Sequence, residues 1–151
     1  MKSVITLLIF AGISIHGLAQ NDLRKKNFNI KKDVAIEGYD PVSYFNGKPE
    51  EGDDAFRISH KGILYQFSSQ ANLNKFKASP DKYEPAYGGW CAYAMGANGE
   101  KVKIDPETYK IIEGRLYLFY NFWGNNTLED WNTSEKKLKE SADRNWRKFI
   151  P

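Results

Sequence analysis

Cysteine is almost absent from this chain, and histidine is scarce. Cys91 is the single cysteine, and the two histidines are His16 and His60. One cysteine cannot form a disulfide within the chain, so hydrophobic burial must hold the fold together. A structural zinc site needs four Cys or His ligands. The sequence therefore excludes a conventional zinc site, and zinc is not an expected cofactor.

Strong charge bias and long apolar runs are also missing. The formal net charge of the whole chain is only +3, which is too balanced to favour nucleic acid or an anionic membrane surface as a partner. The longest apolar run covers residues 4–15 and is shorter than the roughly 20 residues that cross a bilayer. We therefore expect no nucleic-acid partner and no membrane span. No internal repeat is apparent either.

The N-terminus has the pattern of a signal peptide. Lys2 precedes the apolar run, and the small residues Gly17 and Ala19 stand where a signal peptidase reads the chain, which predicts cleavage after Ala19. A retained membrane anchor is the alternative, which the shortness of the run disfavours. The prediction is an exported protein, periplasmic or secreted, from which residues 1–19 are removed.

The remaining chain divides into a lead-in, residues 20–32, and one domain, residues 33–151. The lead-in is polar and basic, so we expect it to be flexible. In the domain, β-branched and aromatic residues flank Gly62, and a similar pattern over 109–120 flanks Gly114. Both patterns predict β-hairpins.

Helices are predicted from caps and apolar spacing. Asp40 is placed to cap a short helix, Ser69 to cap a second, and Ser134 to begin a long one. The apolar stripe of the last helix recurs at four, four and three residues, at Leu138, Ala142, Trp146 and Phe149. The predicted fold is α+β: a small antiparallel sheet of hairpins with short helices and a long amphipathic C-terminal helix.

Four segments of the domain resemble a known family. They are residues 33–45, 65–69, 76–83 and 87–94, the last with the sequence Tyr-Gly-Gly-Trp-Cys-Ala-Tyr-Ala. Together they resemble the YHS-domain family, in the form found as small exported bacterial proteins. The resemblance covers roughly half of the chain and implies a shared fold more than a shared activity.

The resemblance also implies a metal site that this chain does not keep. Many YHS relatives bind metal through paired cysteines in a Cys-Pro-Val segment and a Phe-Cys-Ser-x-x-Cys segment. Residues 38–42 stand where the first segment is expected, and Ser68 and Asn72 occupy the two cysteine places of the second. The metal site of those relatives is therefore not expected here.

A softer metal site is the remaining hypothesis. Cys91 and Met95 lie four residues apart, and a thiolate with a thioether suits Cu(I), with His60 as a third ligand. The alternative is that Cys91 is a small buried hydrophobic residue and Met95 fills a gap in the core. Residue type favours burial, and copper is the one metal that the set would take.

No recognisable catalytic motif is present. The chain has no Gly-x-Ser-x-Gly elbow, phosphate loop or His-Glu-x-x-His, so a non-enzymatic protein is predicted. We expect a module that binds a small ligand or metal ion. The alternatives are a thiol-dependent enzyme using Cys91 and a protein-interaction module, and the oligomeric state is left open. The predicted ligand-binding residues are Tyr39, Asp40, Tyr87, Trp90, Cys91 and Tyr93.

Overall fold

The structure, a computed structural model, describes the backbone of residues 12–151 and the side chains from residue 17 onward. The helices of this part are α1 (Gly12–Asn27), α2 (Gln70–Ala78), α3 (Pro80–Tyr83), α4 (Ala92–Ala97), α5 (Thr127–Thr133) and α6 (Glu135–Trp146). The strands are β1 (Ile30–Lys31), β2 (Val34–Ala35), β3 (Asp53–His60), β4 (Ile63–Phe67), β5 (Asp105–Ile112), β6 (Arg115–Phe119), β7 (Asn121–Phe122) and β8 (Asn125–Asn126).

The strands form three small sheets. One has the order β1-β2-β4-β3, in which β2 runs parallel to β4 and the other neighbours are antiparallel. The β5–β6 and β7–β8 hairpins form the other two. Hairpins, short helices and the closing helix α6 confirm the predicted α+β class, and none of the described helices is long and apolar enough to cross a membrane.

Of the three predicted caps, Ser69 caps α2, Asp40 binds an amide just before its 3-10 turn, and Ser134 lies at the N-cap of α6 without a side-chain cap bond. Asp40 Oδ1 accepts a hydrogen bond from the Val42 amide at 2.8 Å, ahead of a 3-10 turn over Ser43–Asn46. Ser69 Oγ accepts from the Asn72 amide at 3.2 Å at the start of α2. Both bonds satisfy helix-start amides that would otherwise lack a partner.

Residues 20–32 differ from the flexible lead-in that their composition suggests. They continue α1 and enter β1, and Arg24 is only 8% exposed. Its Nε donates to the Lys61 carbonyl at 3.1 Å, and its guanidinium lies 4.3 Å from the centre of the Phe28 ring. Buried partners hold this basic segment in place, which composition does not reveal. Of the predicted signal peptide, residues 1–11 lie outside the described residues, and its cleavage stays a prediction.

An internal structural repeat organises the fold. We call residues 34–78 the first lobe and residues 85–133 the second lobe. Asp53 pairs with Phe67 in the β3–β4 hairpin, and Asp105 pairs with Phe119 in β5–β6; each position is shifted by 52 residues. The remaining pairs follow the same shift, and both hairpins carry an irregularity at the same place.

The turn before each hairpin repeats as well. Ile36, Glu37 and Gly38 have φ values of 53°, 55° and 93°, and residues 87–89 have 53°, 60° and 83°. We call these segments the first and second left-handed turns. Each follows a segment that lies parallel to the second strand of its hairpin: Val34 beside Leu64 in the first lobe, and residue 85 beside residue 116 in the second.

The expectation that the chain contains no repeat is therefore wrong. Sequence identity between the two hairpins is concentrated in the pattern Gly-x-Leu-Tyr-x-Phe, at residues 62–67 and 114–119. The β7–β8 hairpin interrupts the second lobe before its helix. The identical pairs in the hairpins are Asp53 and Asp105, Gly62 and Gly114, Leu64 and Leu116, Tyr65 and Tyr117, and Phe67 and Phe119.

Candidate functional site

The Asp40 carboxylate is a structural centre of the first lobe. It is fully buried, and its Oδ2 accepts hydrogen bonds from the Ser68 amide and Ser68 Oγ, both at 2.9 Å, and from Asn72 Nδ2 at 2.7 Å. With the Val42 amide on Oδ1, four donors compensate one buried charge. Ser68 and Asn72, the two positions that the YHS resemblance compares with cysteines, thus both bind Asp40. All the bonds of this network stay inside the protein, and a ligand has no access to Asp40.

Two of the predicted aromatic residues are also engaged inside the fold. Tyr87 is buried and its hydroxyl donates to Asp143 Oδ1 at 3.0 Å. Burial, and then the Asp143 charge, raise the pKa of Tyr87 far above its usual value. Trp90 Nε1 donates to the Asn27 carbonyl at 2.6 Å. Tyr87 thus links the second left-handed turn to α6, and Trp90, directly after that turn, links it to α1.

The other two predicted aromatic residues are only partly buried. Tyr39 follows the first left-handed turn, and burial together with the nearby Glu107 raises its pKa. Tyr93 lies on α4 and packs against the hydrophobic core. Of the predicted set, these two retain accessible surface together with Trp90.

The three residues of the copper hypothesis have different neighbours. Cys91 is fully buried, with its Sγ 3.4 Å from Thr127 Oγ1, and Met95 is fully buried on α4. His60 packs its ring against Phe76 at 5.9 Å, at the end of β3 in the first lobe. This placement matches the alternative interpretation, in which Cys91 and Met95 fill the core.

A groove of about 380 Å³ opens beside the first left-handed turn. Three cationic side chains border it, from Lys31, Lys32 and Arg57. Lys31 pairs with Glu37, and Arg57 pairs with Asp54. Lys32 makes no ion pair with any residue that the structure describes. The charged lining of the groove is thus cationic by one unit.

Close backbone packing shapes this groove. The Gly52 amide donates to the Gly38 carbonyl at 2.8 Å, and a Cβ on Gly52 would lie 2.5 Å from Gln66 Cβ. Only glycine fits at position 52, and this contact brings Gln66 to the groove wall. Ile36 is β-branched yet has φ of 53°, a conformation that is strained for such a residue and is often found at functional positions.

The second left-handed turn is covered instead of open. A Cβ on Gly88 would lie 2.8 Å from Trp146 Cη2 and 3.0 Å from the Phe28 ring. The Asn29 amide donates to the Gly88 carbonyl at 2.9 Å, and Asn29 Nδ2 donates to the Gly89 carbonyl at 3.0 Å. Helices α1 and α6 therefore fill the space that remains a groove in the first lobe.

The groove residues were missed by the sequence reading. Lys31 and Lys32 belong to a basic segment whose composition is typical of solvated linkers. Arg57 and Gln66 lie on adjacent strands and approach those lysines only through the parallel pairing of β2 with β4. The signal that could have revealed the groove is the positive charge of Lys31 and Lys32, directly before the segment that begins at residue 33.

Comparison of this chain with family models, with curated proteins and with solved structures finds no match.

Proposed function

We propose that this protein is an exported, non-catalytic binding module of the YHS type that holds a small anionic ligand in the groove of its first lobe. One observation carries the proposal. Of two left-handed turns with similar φ values, one is covered by Trp146 and Phe28, while the other borders a groove lined by three cationic and two anionic side chains.

The charges of the groove define the ligand class. Lys32 offers an uncompensated cation, and Lys31 is half-exposed and can exchange Glu37 for a ligand carboxylate or phosphate. Gln66 already donates to Asp54 from its Nε2 at 2.5 Å, so its carbonyl oxygen can accept from a ligand hydroxyl or amine. A small molecule with an anionic group and a hydrogen-bond donor fits this arrangement.

The buried state of the reactive groups supports a non-catalytic role. The Cys91 thiol has no accessible surface and contacts the Thr127 hydroxyl. A nucleophile needs access to substrate and a base within hydrogen-bond reach. The export part of the proposal depends on the signal-peptide pattern of residues 1–19.

Amide chemical-shift mapping tests the groove directly. We expect titration with inorganic phosphate or citrate to shift the amides of Lys32, Glu37 and Arg57 and to leave the second left-handed turn unchanged. Lys32→Glu should weaken the response at least about tenfold, since an attraction becomes a repulsion. Lys136→Glu, an exposed charge change on α6, is the matched control. Equal responses in the two variants would contradict the proposal.

A protein-interaction module is the second candidate, and Trp123 favours it. This residue is 86% exposed at the tip of the β7–β8 hairpin, with φ of 53°. It packs against Phe122, with ring centres 5.9 Å apart, and the Lys103 ammonium lies 5.0 Å from the Trp123 ring centre. An exposed aromatic group of this kind suits contact with a second copy of the chain. Sedimentation equilibrium would then give a dimer that Trp123→Ala converts to a monomer.

A further inference from the structure

A second cluster of polar side chains lies near the turn of the β3–β4 hairpin. His60, Asp81 and Glu84 each bring one potential metal-ligand atom to within 4.8 Å of the others. His60 ends β3, Asp81 lies in α3, and Glu84 follows α3 directly. None of the three borders the groove, so the cluster is a separate site.

One nitrogen of the His60 imidazole lacks a hydrogen-bond partner. Its Nε2 is buried and makes no hydrogen bond, because the nearest acidic atom, Asp81 Oδ1, lies 3.6 Å away. The ring is held edge-on against Phe76. Buried polar atoms are nearly always partnered, and an exception points to a water, an ion or a functional role.

The carboxylates of Asp81 and Glu84 differ in how far they are exposed to solvent. The Asp81 side chain is 77% exposed and can move toward the imidazole. Its Oδ1 accepts a hydrogen bond from Lys61 Nζ at 2.8 Å. The Glu84 side chain is 12% exposed, and its Oε1 accepts from Arg24 and, at 2.6 Å, from the Tyr65 hydroxyl. Those donors hold one carboxylate oxygen, so the other can act as a ligand.

We propose that His60 Nε2 and the carboxylates of Asp81 and Glu84 bind a divalent first-row transition-metal ion such as Zn²⁺. One imidazole and two carboxylates are ligands that such ions accept, with water completing the coordination. This is an open, three-ligand site, which differs from the four-ligand Cys/His site that the sequence excludes.

A bound ion would compete with Lys61 for the Asp81 carboxylate. Lys61 Nζ lies 2.8 Å from Asp81 Oδ1, and the Lys61 side chain is half-exposed, so it can leave for solvent. Ligands of tetrahedral zinc stand about 2.0–2.2 Å from the metal. A small rotation of Asp81 is therefore required, and its exposure permits that rotation. Arg24 stays on Glu84 and reduces the affinity without blocking the site.

Histidine NMR combined with calorimetry tests the proposal. The sample is the exported protein, or the full chain carrying His16→Gln, so that His60 is its only histidine. Titration with Zn²⁺ should give one binding event per chain and shift the Nε2 resonance of His60 as the ion coordinates. A Zn²⁺ titration without any change at His60 Nε2 would overturn the proposal.

Ligand variants and a control make the result specific. Asp81→Ala should lower Zn²⁺ affinity at least about tenfold, since loss even of groups that only orient ligands costs about 10- to 100-fold. His60→Phe keeps an aromatic ring against Phe76 and should abolish the event. Asp130→Asn removes an exposed carboxylate on α5 and should change nothing. Equal Zn²⁺ affinity in all three variants would mean that surface carboxylates bind the ion, and the proposal would fail.

Discussion

The two lobes share a backbone and differ in what each places at the same position. The Asp40 amide donates to the Glu50 carbonyl at 2.9 Å, and the Cys91 amide donates to the Val102 carbonyl at 3.0 Å. The side chain at this position is a buried carboxylate with four donors in the first lobe and a buried thiol in the second. The same backbone position thus carries the centre of a polar network in the first lobe and a residue of the hydrophobic core in the second.

A second difference between the lobes is whether the left-handed turn is covered by other parts of the chain. Trp146 and Phe28 cover the second turn, while charged side chains border an open groove at the first. The sheets also differ: β1 and β2 extend the first hairpin, whereas the β5–β6 hairpin is bordered in the described chain by isolated parallel bridges, at residues 85 and 91. A repeated unit has therefore kept its geometry while only one copy retains an open turn.

The largest effect on stability is expected at Asp40. Asp40→Ala should lower the free energy of unfolding by about 4 kcal/mol or more, because it leaves several buried donors without an acceptor. Urea unfolding measures this loss. Asp53→Ala is the control, since that exposed carboxylate accepts one backbone hydrogen bond and should cost about 1 kcal/mol. Similar losses in the two variants would mean that the buried network around Asp40 contributes no more to stability than one exposed hydrogen bond.

Uncovering the second turn should have the next largest effect. Trp146→Ala deletes the ring that covers Gly88 and packs against Phe28 at 5.9 Å, and we expect a loss of about 3 kcal/mol. Thermal and urea unfolding report the change. Trp123→Ala, at the exposed hairpin tip, is the matched control and should leave stability within about 0.5 kcal/mol. If both tryptophans cost the same, packing of α6 is not what closes the second turn.

The position equivalent to Asp40 should respond more weakly. Cys91→Ser should cost about 1 to 3 kcal/mol, since a hydroxyl replaces a thiol in the core with few partners. The native thiol should also resist thiol reagents until the protein unfolds, because it is buried. Rapid labelling of Cys91 in the folded protein would instead support the thiol-enzyme alternative.

The smallest effect on stability, together with weaker ligand binding, is expected at Arg57. Its side chain is partly exposed and paired with the more exposed Asp54, so Arg57→Ala should change stability by less than about 1 kcal/mol. Binding of phosphate or citrate should weaken, since one cation leaves the groove. Arg144→Ala, on the solvent-facing part of α6, should affect neither quantity. Unfolding and the amide titration together separate the two outcomes.

The sequence predicted local structure well because local signals determine it. Glycine at the hairpin turns and the cap at Ser69 act over a few residues, and the structure has both hairpins and this cap. Ser134 lies at the N-cap of α6 but its side chain makes no cap bond. The repeat was missed although Gly-x-Leu-Tyr-x-Phe recurs at residues 62–67 and 114–119, because so short a pattern gains weight only when the backbone register matches over the whole hairpin. The groove depends on the long-range pairing of β2 with β4, and the burial of Arg24 depends on partners distant in sequence.

The predicted site residues illustrate the same limit. Asp40 and Tyr87 lie in the family-like segments, yet their polar atoms bond within the fold. A motif identifies a position in the chain without saying whether its side chain faces ligand or core. The sequence places His60 in a hypothetical copper site with Cys91 and Met95. Its neighbours in the structure, Asp81 and Glu84, lie more than 20 residues further along the chain.

Native mass spectrometry of the protein, purified gently from the cells that produce it, tests the central claim most directly. The wild-type protein should carry the added mass of one small anionic molecule, and the Lys32→Glu protein should lose it while remaining folded. The Lys136→Glu control should keep it. A wild-type protein without added mass, or equal retention by the two variants, would contradict the assignment of the first-lobe groove as the binding site.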